Sequence, residues 1–254
     1  MSASSGAVVE AAEGVHFVGG AHVNWVILEE GEDLTLIDGG YPGDIDALEG
    51  SIRHIGHRPE DVRGILVTHA HVDHIGSLPR FTERYGTPVY MDGREVAHAA
   101  REYVQQVTPA TILSQAWRPG VLSWTLHVLK VGGTSKEPVK ALPFPREEGP
   151  LDLPGRPVPV STPGHTSGHS CYHLPEAGAV VTGDTLVTGH AISRLEGPQP
   201  LPSIFHHDRE AMLASLDAIT GLDADLLLPG HGPLTRMPVA EAVDTARAMA
   251  SRAW

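Results

Sequence analysis

Four residues with metal-ligand character fall within six positions of this chain: His69, His71, Asp73 and His74, in the run His-Ala-His-Val-Asp-His. Neutral imidazoles and carboxylates are ligands for zinc, and in some sites for iron or manganese. In an extended segment, alternation puts His69 and His71 on one side, with Asp73 and His74 beyond, where the chain must turn. Four such groups so close together repel one another or titrate anomalously unless a cation holds them. Three more candidates stand downstream: His165 in Thr-Pro-Gly-His, Asp184 in Gly-Asp-Thr and His231 in Pro-Gly-His-Gly. Each lies just beyond a β-rich run, where a rigid scaffold presents reactive groups.

The elements that must position these residues are legible in outline. Residues 15–18, 23–28 and 34–37 read as strands between Gly-containing or acidic turns. From Pro42 the period changes: Ile45, Leu48, Ile52 and Ile55 share a helical face that ends at Gly56. A buried strand over 64–68 runs straight into His69. A helix over 75–85, a short strand over 88–91 and a helix with Val96, Ala100, Tyr103 and Val104 on its apolar stripe follow. Residues 157–162, 170–174, 179–182 and 225–228 read as strands. Met212, Leu213, Leu216 and Ile219 define a helix capped by Asp208, and a last helix spans about 238–252. Between these parts, residues 108–149 carry Trp117 and Trp124 but no clean periodicity. So long an irregular stretch inside a compact domain is ordinarily functional. With no repeat and no linker in view, the expectation is one domain over 1–254 with a lid or insertion at about 108–149.

Composition narrows the function. The 254 residues carry 18 Lys+Arg against 31 Asp+Glu, a net charge of −13, which argues against a grip on nucleic-acid phosphates. Cys171 is the only cysteine, so an intrachain disulfide is excluded. Residues 1–10 show neither a basic nor an apolar leader region, and no apolar run reaches membrane-spanning length. The expected setting is cytoplasmic, with no membrane partner. Histidine is abundant at 16. His16, His22, His54, His57, His98 and His127 show no partner pattern and read as ordinary packing or surface residues. His190, His206 and His207 are candidates for a pocket mouth. Cys171, Trp117 and Trp124 read as packing residues.

The run at 69–74 resembles the His-x-His-x-Asp-His signature of the metallo-β-lactamase superfamily, and the other three motifs follow in that family's order. The resemblance covers residues 38–232. It implies an αββα four-layer sandwich, two mixed β-sheets flanked by helices, with the site along one edge. Carried over residue by residue, it implies that His69, His71 and His165 hold one metal, that Asp73, His74 and His231 hold a second, and that Asp184 bridges them. Two zinc ions are the implied cofactors, with iron or manganese as alternatives. The implied chemistry is hydrolysis by a hydroxide shared between the metals, with Asp73 also catalytic, carrying a proton to the leaving group. Asp38 and His169 are plausible supports behind the ligands, or ordinary turn residues.

The branch is less determined than the family. Asp184 argues against the true β-lactamases, which lack the bridging aspartate. The short stretch after Gly232 argues against a glyoxalase II-type helical region, and the acidity against nucleic-acid processing members. A lactonase, esterase or thioesterase acting on a small molecule is the favoured reading, with a homodimer possible. The interval from His74 to His165, 91 positions, exceeds that of family lactonases. The surplus falls at 108–149, which is expected to cover the metal edge and set substrate choice. Persulfide dioxygenases, which use one iron held by two histidines and an aspartate, resemble the same motifs and are not separated by them. A non-catalytic metal-binding member is the third reading.

Overall fold

The computed structural model describes residues 7–145 and 149–252. Residues 146–148, within the expected insertion, and the ends of the expected 1–254 domain lie outside the described residues.

Seven strands form the first sheet in chain order: β1 (Ala7–Ala12), β2 (Val15–Gly19), β3 (Asn24–Glu30), β4 (Asp33–Ile37), β5 (Val62–Leu66), β6 (Val89–Met91) and β7 (Leu142–Pro143). Pairing is antiparallel as far as β4 and parallel from there on. The second sheet holds β8 (Val158–Ser161), β9 (Ser170–Leu174), β10 (Ala179–Gly183), β11 (Leu226–Pro229) and β12 (Thr235–Arg236), in the order β12-β11-β10-β9-β8. Only its β10–β11 pair is parallel, so both sheets are mixed.

The period of two along each strand divides the core into layers. Val26 and Leu28 of β3 point to the other sheet and meet Tyr172, Val181 and Leu228, while Trp25 and Ile27 point the opposite way. There they meet Leu48 and Ile52 of α1 (Ile45–His54), beside α2 (Val72–Ile75) and Leu78 and Phe81 of α3 (Leu78–Tyr85). α4 (Gly93–Ala99), α5 (Pro109–Ser114) and α6 (Val121–Lys130) follow in chain order. On the second sheet Val180 and Leu227 face outward to α7 (Arg209–Ser215), α8 (Asp217–Thr220) and α9 (Val239–Met249) through Leu216, Ile219 and Val243. The layers are therefore helix, sheet, sheet, helix. Strands covered on both faces read as continuous apolar runs, as these do.

Several expected boundaries move. The helix expected over 75–85 breaks at Gly76–Ser77 into α2 and α3. The one expected to carry Tyr103 and Val104 stops at Ala99, because the chain turns at Arg101 with φ +63°, and both residues are exposed. The stretch expected to be irregular contains α5 and α6. α6 buries Val121 and Trp124 but exposes Leu122, Leu126 and Leu129. Apolar residues surround that helix, so no stripe stands out in its sequence. β1 and β12 were also unforeseen.

Candidate metal centre

All seven expected ligand residues lie beyond the C-terminal ends of strands at one edge of the sandwich: His69, His71, Asp73 and His74 where the chain leaves β5 and enters α2, His165 after β8, Asp184 after β10 and His231 after β11. The edges of the two sheets are fastened there by Tyr172 Oη to Val67 O (2.6 Å), Ser170 N to Thr68 O (2.9 Å) and Asn24 Nδ2 to Pro229 O (3.0 Å). Gly230 lets the last loop approach closely, since a Cβ there would stand 2.5 Å from Asp184 Oδ1.

Potential ligand atoms of His69, His71, His165 and Asp184 lie within 4.8 Å of one another, as do those of Asp73, His74 and His231. Asp184 joins the two groups. Its Oδ1 is 3.4 Å from His74 Nε2, and its Oδ2 is 3.4 Å from His165 Nε2 and 3.3 Å from His231 Nε2. Asp73 Oδ2 lies 3.5 Å from His231 Nε2.

The hydrogen bonds behind the rings fix which nitrogen faces inward. Thr68 Oγ1 donates to Asp38 Oδ2 and so accepts from His69 Nδ1. His71 Nε2 donates to Gln105 O, His74 Nδ1 to Asp38 Oδ2 (2.8 Å) and His231 Nδ1 to His22 O. His206 Nε2 donates to Leu201 O, so its Nδ1 accepts from His165 Nδ1 at 3.2 Å. In these tautomers five N–H groups point outward and five lone pairs point in. His71 Nδ1 and His165 Nε2 face each other at 3.0 Å, and buried His69 Nε2, His74 Nε2 and Asp184 Oδ1 have no hydrogen-bond partner among the described residues. Buried polar atoms left this way are costly. A cation between them satisfies them all, and the donor set, histidine with carboxylate, is that of zinc, iron or manganese.

Charge agrees with this arrangement. Burial pushes His69 and His165 well below the usual imidazole range and also lowers His71, so these rings are neutral and able to ligate. Burial also disfavours charge on His74 and His231, but the carboxylates around them outweigh it, Asp184 foremost, with Asp73 and, at His74, Asp38, holding His74 well above its usual range and His231 up at about 10. Without a metal, protons there balance the two carboxylates. Asp73, despite burial, is held down at about 2 by His74 and His231.

The supports only partly match expectation. Asp38, at φ +64°, accepts from His74 and from Thr68 N, and His169 Nε2 accepts from Asp184 N. Burial keeps His169 neutral, with a pKa of about 3. His98, read as an ordinary residue, is wholly buried against Glu95, which went unnoticed in sequence. Glu95 accepts from Ala70 N (2.8 Å) and Gly168 N (2.9 Å), tying the His69–His71 loop to the His165 loop. The His-His pair at 206–207 divides, with His206 behind His165 and His207 exposed. Burial raises the Cys171 thiol to about 12, leaving no nucleophile there.

The family model of the metallo-β-lactamase superfamily matches residues 18–231. The chain belongs to the metallo-β-lactamase superfamily. Within it, the chain is 30% identical over 249 residues to a Bacillus subtilis (strain 168) protein named "Probable metallo-hydrolase YflN", covering 92% of this chain and 90% of the relative. The fold matches a metallo-β-lactamase of Cronobacter sakazakii with TM-score 0.68 at 18% identity, over 95% of this chain and 91% of the other. It also matches TTHA1623, solved in a di-iron-bound form, with TM-score 0.57 at 28% identity, over 89% and 95%. The expected αββα fold is thus found, and the superfamily's His/Asp metal-binding cluster is present.

Above the cluster lies a cavity of about 660 Å³ whose floor includes His71, Asp73, His165, Asp184 and His231. α5 and α6 form part of its wall, so this part of the expected insertion lies on the metal edge of the sandwich and not on the opposite one. Trp124 packs beside Phe205 and His190 and lines the cavity. Trp117, expected to pack, is instead 75% exposed. No described helix is long and apolar enough to cross a membrane.

Proposed function

We propose that this chain is a dinuclear metal-dependent hydrolase, with zinc the favoured metal, that cleaves an ester, thioester or lactone of a small molecule. The observation that carries the reading is the set of five inward lone pairs around Asp184, each fixed by a hydrogen bond on the far side of its ring. In this reading His69, His71 and His165 hold one metal and Asp73, His74 and His231 the other, with Asp184 shared. TTHA1623, solved with two irons, supports two-metal occupancy and keeps iron in view. When bound, the metals supply Lewis-acid polarisation of the carbonyl and make water acidic enough to act as nucleophile near neutral pH.

The chain's own groups do the remainder. Asp73 belongs to the cluster and also lines the cavity, so its carboxylate is placed to take a proton and return it to the departing oxygen or sulfur. His190 lines the cavity beside His231 and is kept neutral by burial, with a pKa of about 3. Its Nδ1 accepts from Ile192 N, which leaves Nε2–H as a donor. Asp38, Gln105, His206 and the backbone of His22 hold the rings in place.

The test is metal quantification on the purified protein, coupled to a panel of lactones, thioesters, aryl esters, phosphodiesters and β-lactams. Two metal equivalents, with carbonyl-ester hydrolysis lost on chelation and restored by zinc, is the expected result. One iron equivalent with oxygen uptake on a persulfide would overturn it in favour of a dioxygenase.

A further inference from the structure

Resting on the hydrolase reading, we propose that the substrate carries an extended apolar acyl chain, seated in the cavity beneath α5 and α6, with the scissile carbonyl at the metal end. Above its polar floor the cavity is walled by Ile112, Leu113, Leu122, Trp124, Val128 and Leu129. Outside the metal cluster, Arg101 and Lys136 are the only Asp, Glu, Lys or Arg side chains among the described residues on its lining. Leu113, Leu122 and Leu129 are 75%, 61% and 54% exposed although they line the cavity. Gln106, Thr108, Thr125, Thr134 and Ser135 also stand on the lining, but apolar side chains extend along it from beside the metal cluster out to leucines that face solvent. That is the shape of a slot for a chain held at one end. A small polar substrate would leave this wall in contact with water, which an apolar chain displaces favourably.

The same helix separates this occupant from others. Leu126 is 60% exposed on α6 yet absent from the cavity lining, and Trp117 lies outside it beneath Arg118, 4.9 Å from the ring centre. A second copy or a lipid surface laid over the helices would meet those residues too, whereas a bound chain reaches, of the exposed apolar residues, Val104, Leu113, Leu122 and Leu129 and neither Leu126 nor Trp117. In the reaction water adds across the acyl bond, so the chain leaves as a carboxylic acid and the other half as an alcohol or thiol.

The experiment uses the metal-loaded protein and p-nitrophenyl alkanoates of two to ten carbons below their micelle concentrations. It also measures displacement of anilinonaphthalene sulfonate by butyrate and decanoate. The expected kcat/KM rises about fourfold per methylene, and decanoate displaces the dye at lower concentration than butyrate. Leu122→Glu and Leu129→Glu, at exposed positions that tolerate charge, flatten both trends, and Leu126→Glu leaves them steep. An active enzyme with no chain-length trend overturns the chain slot and leaves the hydrolase reading standing. Decanoate binding with no ester hydrolysed keeps the slot and overturns the hydrolase reading. An equal loss in Leu126→Glu, or a dimer dispersed by Leu122→Glu in sedimentation, overturns the slot in favour of a covered surface.

Discussion

Around Asp184 each ring is anchored from behind by a named acceptor, and the side chains are almost wholly buried. Over the same cavity, α6 rests on two small apolar groups, Val121 and Trp124 against Ile192 and Phe205 and Val128 against Tyr41 and Val72, and its outer leucines face solvent. Floor and roof share one cavity but differ in how their positions are determined. The floor grows from strand ends in two sheets and is cross-tied by Glu95 and Asp38, so its geometry follows from the core. The roof is an excursion between β6 and β7 whose own packing is thin. Chemistry that needs fixed distances belongs on the floor, and discrimination among substrates is cheapest to change in the roof.

The sharpest way to break this contrast is Asp184→Asn, which keeps the shape of the floor and removes the charge shared by both groups. Turnover is expected to fall on the order of 10³-fold, with fewer metal equivalents by elemental analysis. Unchanged turnover would place the chemistry elsewhere. Metal removal comes next. At metal concentrations about a thousandfold above Kd, the loaded protein gains about 4 kcal/mol, so chelation is expected to lower Tm by roughly 10 °C. Because the metals displace protons held on His74 and His231, affinity is expected to weaken as pH falls. Titration calorimetry at pH 6 and pH 8 checks the sign.

Glu95→Gln probes the tie beneath the floor. Burial works against its charge, but hydrogen bonding to His98 holds its carboxyl down from 4.5 to about 2. A depressed folded pKa adds stability above the unfolded pKa and loses it as pH falls towards the folded one. The variant is therefore expected to lose on the order of 3 kcal/mol at pH 7, and the deficit shrinks between pH 4.5 and 2. Urea denaturation across that range reads it. A smaller effect separates neighbours in sequence: His206→Ala is expected to weaken metal binding about 10- to 100-fold, and exposed His207→Ala to leave it unaltered. At the bottom of the scale, Leu126→Glu in the roof is expected to change stability by less than about 0.5 kcal/mol. A larger loss by thermal denaturation would mean that the roof is as tightly built as the floor.

The candidate ligands were legible because their spacing is local. His69, His71, Asp73 and His74 fall within six positions, and His165, Asp184 and His231 each sit in a short glycine-bearing motif. Glu95, Gln105 and His206 were not, since each meets a partner across the chain: Glu95 lies 73 positions from Gly168, Gln105 lies 34 from His71, and His206 lies 41 from His165. No pattern within a window relates them. α5 and α6 escaped for another reason, because leucines on both faces of α6 erase the amphipathic period on which a helix is recognised.

The sequence by itself determined the chemistry on offer: seven metal-seeking residues, their order, and the strands that end at them. Periodicity and residue type are properties of the chain read along its length. Only the tertiary structure decided which nitrogen of each histidine turns inward, which carboxylate ties the loops together, and that an apolar slot opens above the cluster. Those depend on groups that meet only when two sheets close on each other, and no distance along the chain encodes that meeting.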